Sequence, residues 1–291
     1  MRRILLSLLL ISCACLNLPA QDIFAQSDSH PRPPRVPEFI VFAGDTVRFD
    51  TAEKVERMDR ELITFTYMHT LSTLMYRRCG RCFPEIEAAL AEYGIPDDMK
   101  YIAAIESGFD PKAHSPAGAV GMWQFTKATA KEYGLEVGTE VDQRYDVSLL
   151  TVAACKYLKS SYSAFHDWLL VSAGYNCGRA GLSRRMSEQK CGSFFDLWLP
   201  EETTRYIYRL FAAKMFFADP SSFGFSVQKS DAYPQLHYKT VTVSDPIPDL
   251  VAFAEKYGVS YAAIKRANPW LRSTKLTNAD HKTYKIRIPL E

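Results

Sequence analysis

Residues 100–124, KYIAAIESGFDPKAHSPAGAVGMWQ, confine a short apolar helix between two breakers and follow it with a loop rich in Gly, Ser and Pro. Gly94 and Pro96 interrupt what precedes, Asp97 or Asp98 can cap the new N-terminus, and Gly108 closes the helix. Inside those limits Met99, Ile102, Ala103 and Ile105 recur at helical spacing and supply one apolar face. Glu106 arrives at the end, with Ile102 and Ala103 one turn behind it. A carboxyl group placed there is partly removed from water, which disfavours its anion and holds its proton closer to neutrality. Such a group suits a general acid. The plain alternative is a solvated helix-end carboxylate.

The flanking sequence is punctuated into further helices. An amphipathic pattern over 55–77, with Leu62, Phe65, Leu71 and Leu74, predicts one long helix, and Pro84 starts another that ends at Tyr93-Gly94. Thr126 caps a short helix ending at Tyr133-Gly134, and Asp146 caps one running to about Ser161. Asp167 opens a helix carrying Trp168, Leu170, Val171, Tyr175 and Asn176, and the last long helix spans about 201–217 before Asp219-Pro220. Residues 41–50 have strand character without an evident partner. Every strong element is helical, so the main body is a helix-rich globule. The tail differs: 238–243 alternates as a strand, 250–257 and 261–267 are short helices, and 284–288 is a second strand.

With 291 residues the chain can build one sizeable core and a small module. A net charge of +2 with interspersed signs and no basic stripe argues against nucleic acid as a partner. No apolar run after the N-terminus is long enough to span a bilayer. Residues 1–20 read as a signal peptide: Arg2 and Arg3 precede an apolar stretch, with Ala20 as the cleavage point. Leu10-Ile11-Ser12-Cys13 also resembles a lipobox, which would leave a lipidated Cys13 as a membrane tether. Either route exports the protein to the periplasm or cell envelope, in the second case as an outer-membrane lipoprotein. Cleavage at Ala20 leaves Cys79, Cys82, Cys155, Cys177 and Cys191, an odd number, so disulfides are possible but at least one thiol stays unpaired within the chain. Cys79 and Cys82 have metal-like spacing, but no second pair completes a site, and Cys155 reads as a buried small hydrophobe.

Three ordered blocks carry a family resemblance. Glu106 with Ser115, Gly118, Ala119, Gly121, Trp123 and Gln124 comes first, then AGYNCG at 173–178, then EETTRY at 201–206. Together they resemble the lytic transglycosylases of the goose-type lysozyme superfamily. Two departures stand out: Gly174 replaces the usual Ala before Tyr175, and Thr204 sits where Arg is usual, so Arg205 receives no catalytic role. The segment VDQRYD at 141–146 resembles that family's D-x-R-x-D loop, with Asp142 and Arg144 as a structural ion pair or capping set. The tail, with YGVS and NPWL, resembles a LysM glycan-binding module, although Ser244-Asp245-Pro246 stands in place of the usual Gly-Asp-Thr opening.

The resemblance implies a mainly α fold: a lysozyme-like helical catalytic domain followed by a small α+β LysM-like domain of βααβ order. The corresponding boundaries are 1–20 signal peptide, 21–54 linker or tether, 55–220 catalytic domain, 221–237 connector and 238–291 LysM-like module. It implies cleavage of peptidoglycan glycan strands between N-acetylmuramic acid and N-acetylglucosamine, with a 1,6-anhydro end and no metal or organic cofactor. Glu106 would be the sole acid and base, and Tyr175 would hydrogen-bond and orient it. Ser115, Gln124, Gly118, Gly121, Trp123 and Asn176 would form the substrate-binding set, Asn176 and the glycines having structural readings as well. A hydrolytic muramidase, with Asp110, Asp142, Asp146 or Glu202 as second carboxylate, and a non-catalytic wall-binding protein are the alternatives.

Overall fold

The structure, a computed structural model, describes residues 31–290; the signal segment 1–20, Cys13 and residues 21–30 lie outside the described residues. Strands β1 (Phe39–Phe42) and β2 (Asp45–Arg48) pair antiparallel around Ala43-Gly44, both at positive φ, a turn that matches strand twist. Alternation turns Ile40, Phe42 and Val47 inward. Phe42 meets Phe211 edge-on, with ring centroids 5.3 Å apart, and Phe49 lies against both Phe211 and Tyr208. Residues 39–49 are therefore part of the main core, which corrects the reading of 21–54 as a linker. The strand's partners are its own hairpin and a helix some 160 residues downstream, beyond the reach of local pattern.

Helices α1 (Ala52–Tyr67) and α2 (His69–Glu92) part at Met68, and Pro84 lies inside α2. The expected break at Pro84 is thus displaced by 16 residues. At Met68 the buried Ser72 Oγ donates to the carbonyl of Phe65, so the interruption leaves that group satisfied. One turn before Pro84 the connector packs closely on the helix. The connector lies against α2 at Gly80, where a side chain would meet Tyr233 O at 2.6 Å, and the Tyr233 N–H donates to Arg77 O.

A 3₁₀ turn over Asp97–Lys100 leads into α3 (Tyr101–Ser107) without a side-chain cap. Neither candidate acid caps it. Asp98 Oδ2 instead accepts from the Ala43 N–H at 2.7 Å and from Lys214 Nζ at 2.8 Å, and Asp97 pairs with Lys100. The side-chain caps of α4 (Lys127–Glu132) by Thr126, of α5 (Val147–Phe165) by Asp146 and of α6 (Trp168–Cys177) by Asp167 follow the sequence reading. Helices α7 (Arg179–Gln189) and α8 (Glu201–Ala218) complete the body. Its core is continuous, and α8 runs through it with Tyr206, Ile207, Leu210, Phe211 and Phe216 all buried.

The connector gives the core Phe223 and Phe225 before the tail begins. In the tail, β3 (Tyr238–Val243) and β4 (Tyr284–Pro289) form an antiparallel pair, covered by α9 (Leu250–Lys256) and α10 (Tyr261–Ala267). The module has its own core of Leu250, Ala254, Ile264, Leu271, Leu276 and Ile286, yet Val141 of the main body completes it. Backbone bonds join the two: Asp142 N–H to Trp270 O at 2.9 Å, and Arg272 N–H to Glu140 O at 2.7 Å. Among the described residues no helix is long and apolar enough to cross a membrane.

If the hairpin is part of the core, Phe42→Ala, at a site 1% exposed, costs about 3–5 kcal/mol in denaturant unfolding. A loss under 1 kcal/mol would return the hairpin to the status of a tether.

Candidate active site

Glu106 sits one residue before the end of α3, and Gly108 closes the helix in the left-handed conformation with its N–H on Ala104 O. The half-buried carboxylate accepts a 2.7 Å hydrogen bond from the hydroxyl of Tyr206 on α8. Burial raises the proton affinity of Glu106 above the ordinary value; the Tyr206 bond and the Arg209 guanidinium oppose this, and the exposed Glu202 adds to it. Arg209, one turn after Tyr206, donates to Ile105 O at 2.9 Å and so ties α8 to the same helix end. Arg205, the residue before Tyr206, faces away and pairs at 2.7 Å with the fully buried Glu61 of α1. One face of α8 therefore positions the carboxyl group while the residue just before Tyr206 locks α8 to α1.

The hydrogen bond expected from Tyr175 comes from Tyr206 instead. Tyr175 donates to the backbone carbonyl of Trp123 at 2.6 Å, and its ring packs against Tyr157 and Phe125 at 5.1 and 6.3 Å. It remains a neighbour: burial and the charge of Glu106 together push its hydroxyl well above the ordinary phenol range. Its contact holds the glycine-rich loop against α6. Tyr206 stands inside the EETTRY block, so a signal for it was present, but only folding shows that its hydroxyl reaches a residue 100 positions earlier.

The other expected residues divide. Trp123 is fully buried with its indole N–H on Thr151 Oγ1, so it supports the loop from beneath and its side chain meets no ligand. Gly121 is buried too; a Cβ there would lie 2.0 Å from Arg144 O, so its need is packing and a φ of +81, not close approach by a glycan. Gly118 has open space around its Cα at φ +80, and its carbonyl accepts from Arg144. Ser115 Oγ accepts from the Ala119 N–H, and Gln124 Nε2 donates to Gly121 O, both half-buried bonds that shape the loop. Asn176 Oδ1 accepts from Thr203 Oγ1, joining α6 to α8.

Ser107, which the sequence reading passed over, holds loop and helix together: its hydroxyl contacts Ala103 O and Met122 O, the latter at 2.8 Å. Phe109 and Gln124 both adopt positive φ without being glycine, a local strain of about 1–3 kcal/mol each that the surrounding bonds must outweigh. Of the possible second carboxylates, Asp110 pairs with Arg78, Asp142 with Arg144, and Asp146 caps α5. Only Glu202 makes itself felt electrostatically at Glu106.

All five cysteines within the described residues are free thiols, and burial pushes Cys79 up to about 11 and Cys82 and Cys155 up to about 12, which keeps them protonated and unreactive. Among the described residues no cluster of three or more His, Cys, Asp or Glu is arranged to hold a metal ion.

Two measurements test this geometry. Gly121→Ala should lose at least about 3 kcal/mol in denaturant unfolding from backbone strain and overpacking, whereas Gly118→Ala, strained but unobstructed, should lose about 1–2 kcal/mol; equal losses would contradict the packing. Because folding raises the proton affinity of Glu106, the native state binds more protons than the unfolded chain just above the ordinary carboxylate value of 4.5, so stability falls as pH rises through that window. Glu106→Gln should accordingly melt at higher temperature than the parent protein at neutral pH, with the gap closing below pH about 4. A gap independent of pH would contradict the burial of this carboxyl group.

The chain matches two family descriptions in succession: Transglycosylase SLT domain over residues 84–195, and Soluble lytic transglycosylase C-terminal LysM-like domain over residues 239–291. It is 27% identical over 243 residues to membrane-bound lytic murein transglycosylase D of Escherichia coli K12, covering 81% of this chain and 52% of that protein. The chain thus spans about half the length of that curated relative. Over 82 residues it is 39% identical to membrane-bound lytic murein transglycosylase F of Salmonella arizonae, covering 27% of this chain and 16% of that one. A solved structure of an inactive mutant of lytic transglycosylase Slt from Pseudomonas aeruginosa aligns with a TM-score of 0.40 at 18% identity, over 52% of this chain and 26% of that chain. The chain carries a transglycosylase SLT domain followed by a C-terminal LysM-like domain, and is homologous to lytic murein transglycosylase D.

Proposed function

We propose that this protein is a peptidoglycan lytic transglycosylase with Glu106 as its single acid and base. The observation that carries the proposal is a carboxyl group whose proton affinity is raised by burial, held by Tyr206 at the end of α3 beside the glycine-rich loop. In the first step Glu106 gives its proton to the oxygen bridging C1 of N-acetylmuramic acid and C4 of N-acetylglucosamine, and the C1–O bond breaks. The resulting carboxylate then takes the proton of the sugar's own C6 hydroxyl as that oxygen bonds to C1. The ring closes as a 1,6-anhydro sugar, no water is consumed, and Glu106 ends protonated as it began.

Burial favours the neutral acid at the first step, and the Tyr206 hydroxyl and Arg209 charge support the anion at the second. Tyr175 acts through the loop that it holds, as a positioning residue. Ser115, Gly118, Gln124 and Asn176 are half-buried around this loop and α6, where polar sugar substituents would reach them. The LysM-like module would hold the enzyme on the wall. The basic and apolar start of the chain supports export to the cell envelope, by cleavage after Ala20 or lipidation at Cys13.

Hydrolysis of the same bond is the second reading, and Glu202 is the observation that favours it, since its charge is felt at Glu106. Products separate the two. Transglycosylation gives muropeptides ending in 1,6-anhydro-N-acetylmuramic acid, one water lighter than hydrolytic products and resistant to borohydride. We expect these products from purified peptidoglycan, and a loss of activity of at least about 100- to 10,000-fold in Glu106→Gln. Mainly reducing ends would make the enzyme a muramidase; activity in Glu106→Gln within tenfold of the parent would remove Glu106 from the chemistry.

A further inference from the structure

Between the main body and the LysM-like module lies a cleft of about 740 Å³ that contains neither Glu106 nor Tyr206. One wall is formed by α2 and the loop after α3, another by the connector and β3, and the third by the end of α10 with the turn beyond it. Five cationic side chains line it, Arg78, Arg81, Lys112, Arg266 and Arg287, against two carboxylates, Glu85 and Asp146. Both acids are engaged: Asp146 caps α5, and Glu85 accepts from Ser148 and lies 3.7 Å from Arg287. Arg78 is paired with Asp110. That leaves Arg81, Lys112 and Arg266 without a carboxylate partner among the described residues, and Lys112 and Arg266 are not fully sheltered by the protein.

Three half-buried rings, Tyr145, Tyr233 and Tyr238, share the lining with these cations. Trp270 lies in the same wall, and its buried indole N–H is one of two buried side-chain polar atoms among the described residues with no hydrogen-bond partner. A cleft with surplus positive charge and flat rings fits an elongated ligand bearing several carboxylates along a partly apolar backbone.

We propose that this interdomain cleft binds the carboxylate-bearing peptide stems of peptidoglycan, so that the module and the main body together read the peptide while Glu106 acts on the glycan. The inference rests on the proposed activity toward peptidoglycan. Its position follows from the docking of the module: Arg266, Trp270 and Arg287 come from the module, the remaining cations from the main body, and neither unit forms the cleft alone.

The test uses the full chain and two probes, the free tetrapeptide L-alanyl-γ-D-glutamyl-meso-diaminopimelyl-D-alanine and the same peptide with its carboxylates amidated. Binding is followed by calorimetry in the parent protein and in the Lys112→Gln/Arg266→Gln double variant, whose unchanged melting temperature confirms its fold. The free peptide should bind the parent at least about tenfold more tightly than the amidated one, and the double variant should lose most of that preference. Cleavage of peptide-free glycan strands should be the same in both proteins. No binding of the free peptide, equal binding of the two peptides, or full retention of the preference in the double variant would overturn the proposal. If the parent binds the peptide but leaves glycan strands intact, the cleft stands and the enzymatic reading fails.

Discussion

The buried guanidinium of Arg144 is the interaction on which the rest of the site depends. It holds Asp142 through two bonds of 3.0 and 2.8 Å and donates to the carbonyls of Gly118 and Phe125, the two ends of the loop beside Glu106. Its own carbonyl fills the space that a side chain at Gly121 would need. A buried pair of this kind is costly to desolvate, and removing one partner typically costs about 3–5 kcal/mol because the other charge is stranded. Here every donor that Arg144 directs inward meets an acceptor in the loop or in Asp142. These bonds hold the loop at both ends, so strained residues such as Gln124 can persist in it.

That rigidity gives Glu106 its environment. Ser107 ties the end of α3 to Met122, Tyr175 ties Trp123 to α6, and Tyr206 and Arg209 approach from α8. Burial alone would make Glu106 hold its proton too tightly to give it up, and full solvation would leave it ionised with no proton to give. The half-buried position, with one hydroxyl on the carboxylate and one cation nearby, suits the proposed use of a single group as both acid and base. Arg205, where the family pattern is shifted by one residue, serves the scaffold through Glu61.

The same segment that presents Arg144 to the loop presents Val141 and the Asp142 N–H to the module. Glu140 accepts from Thr277, Glu136 from the Tyr284 hydroxyl, and the Arg272 guanidinium lies 4.3 Å from the centre of the Tyr145 ring. The loop beside Glu106 and the LysM-like module are thereby both braced by residues 136–146. A disturbance of the docked module has a short physical route to the loop beside Glu106.

Local chemistry decided much of this protein. Caps at Thr126, Asp146, Asp167 and Ser260, the apolar faces between them and the alternation in the tail are short-range, so the helices and the βααβ order were legible from the chain. Glu106 was legible for the same reason, since its helix end and the loop after it are contiguous. Tertiary structure decided what depends on groups distant in sequence. It gave Glu106 the hydroxyl of Tyr206 in place of Tyr175, sent Asp98 to the hairpin and Lys214, buried Trp123 and Gly121, and carried α2 through Pro84. Each outcome turns on which buried polar group finds a partner and which side chain finds room. Those are properties of the packed interior, where an unpaired group is expensive, and no stretch of sequence contains them by itself.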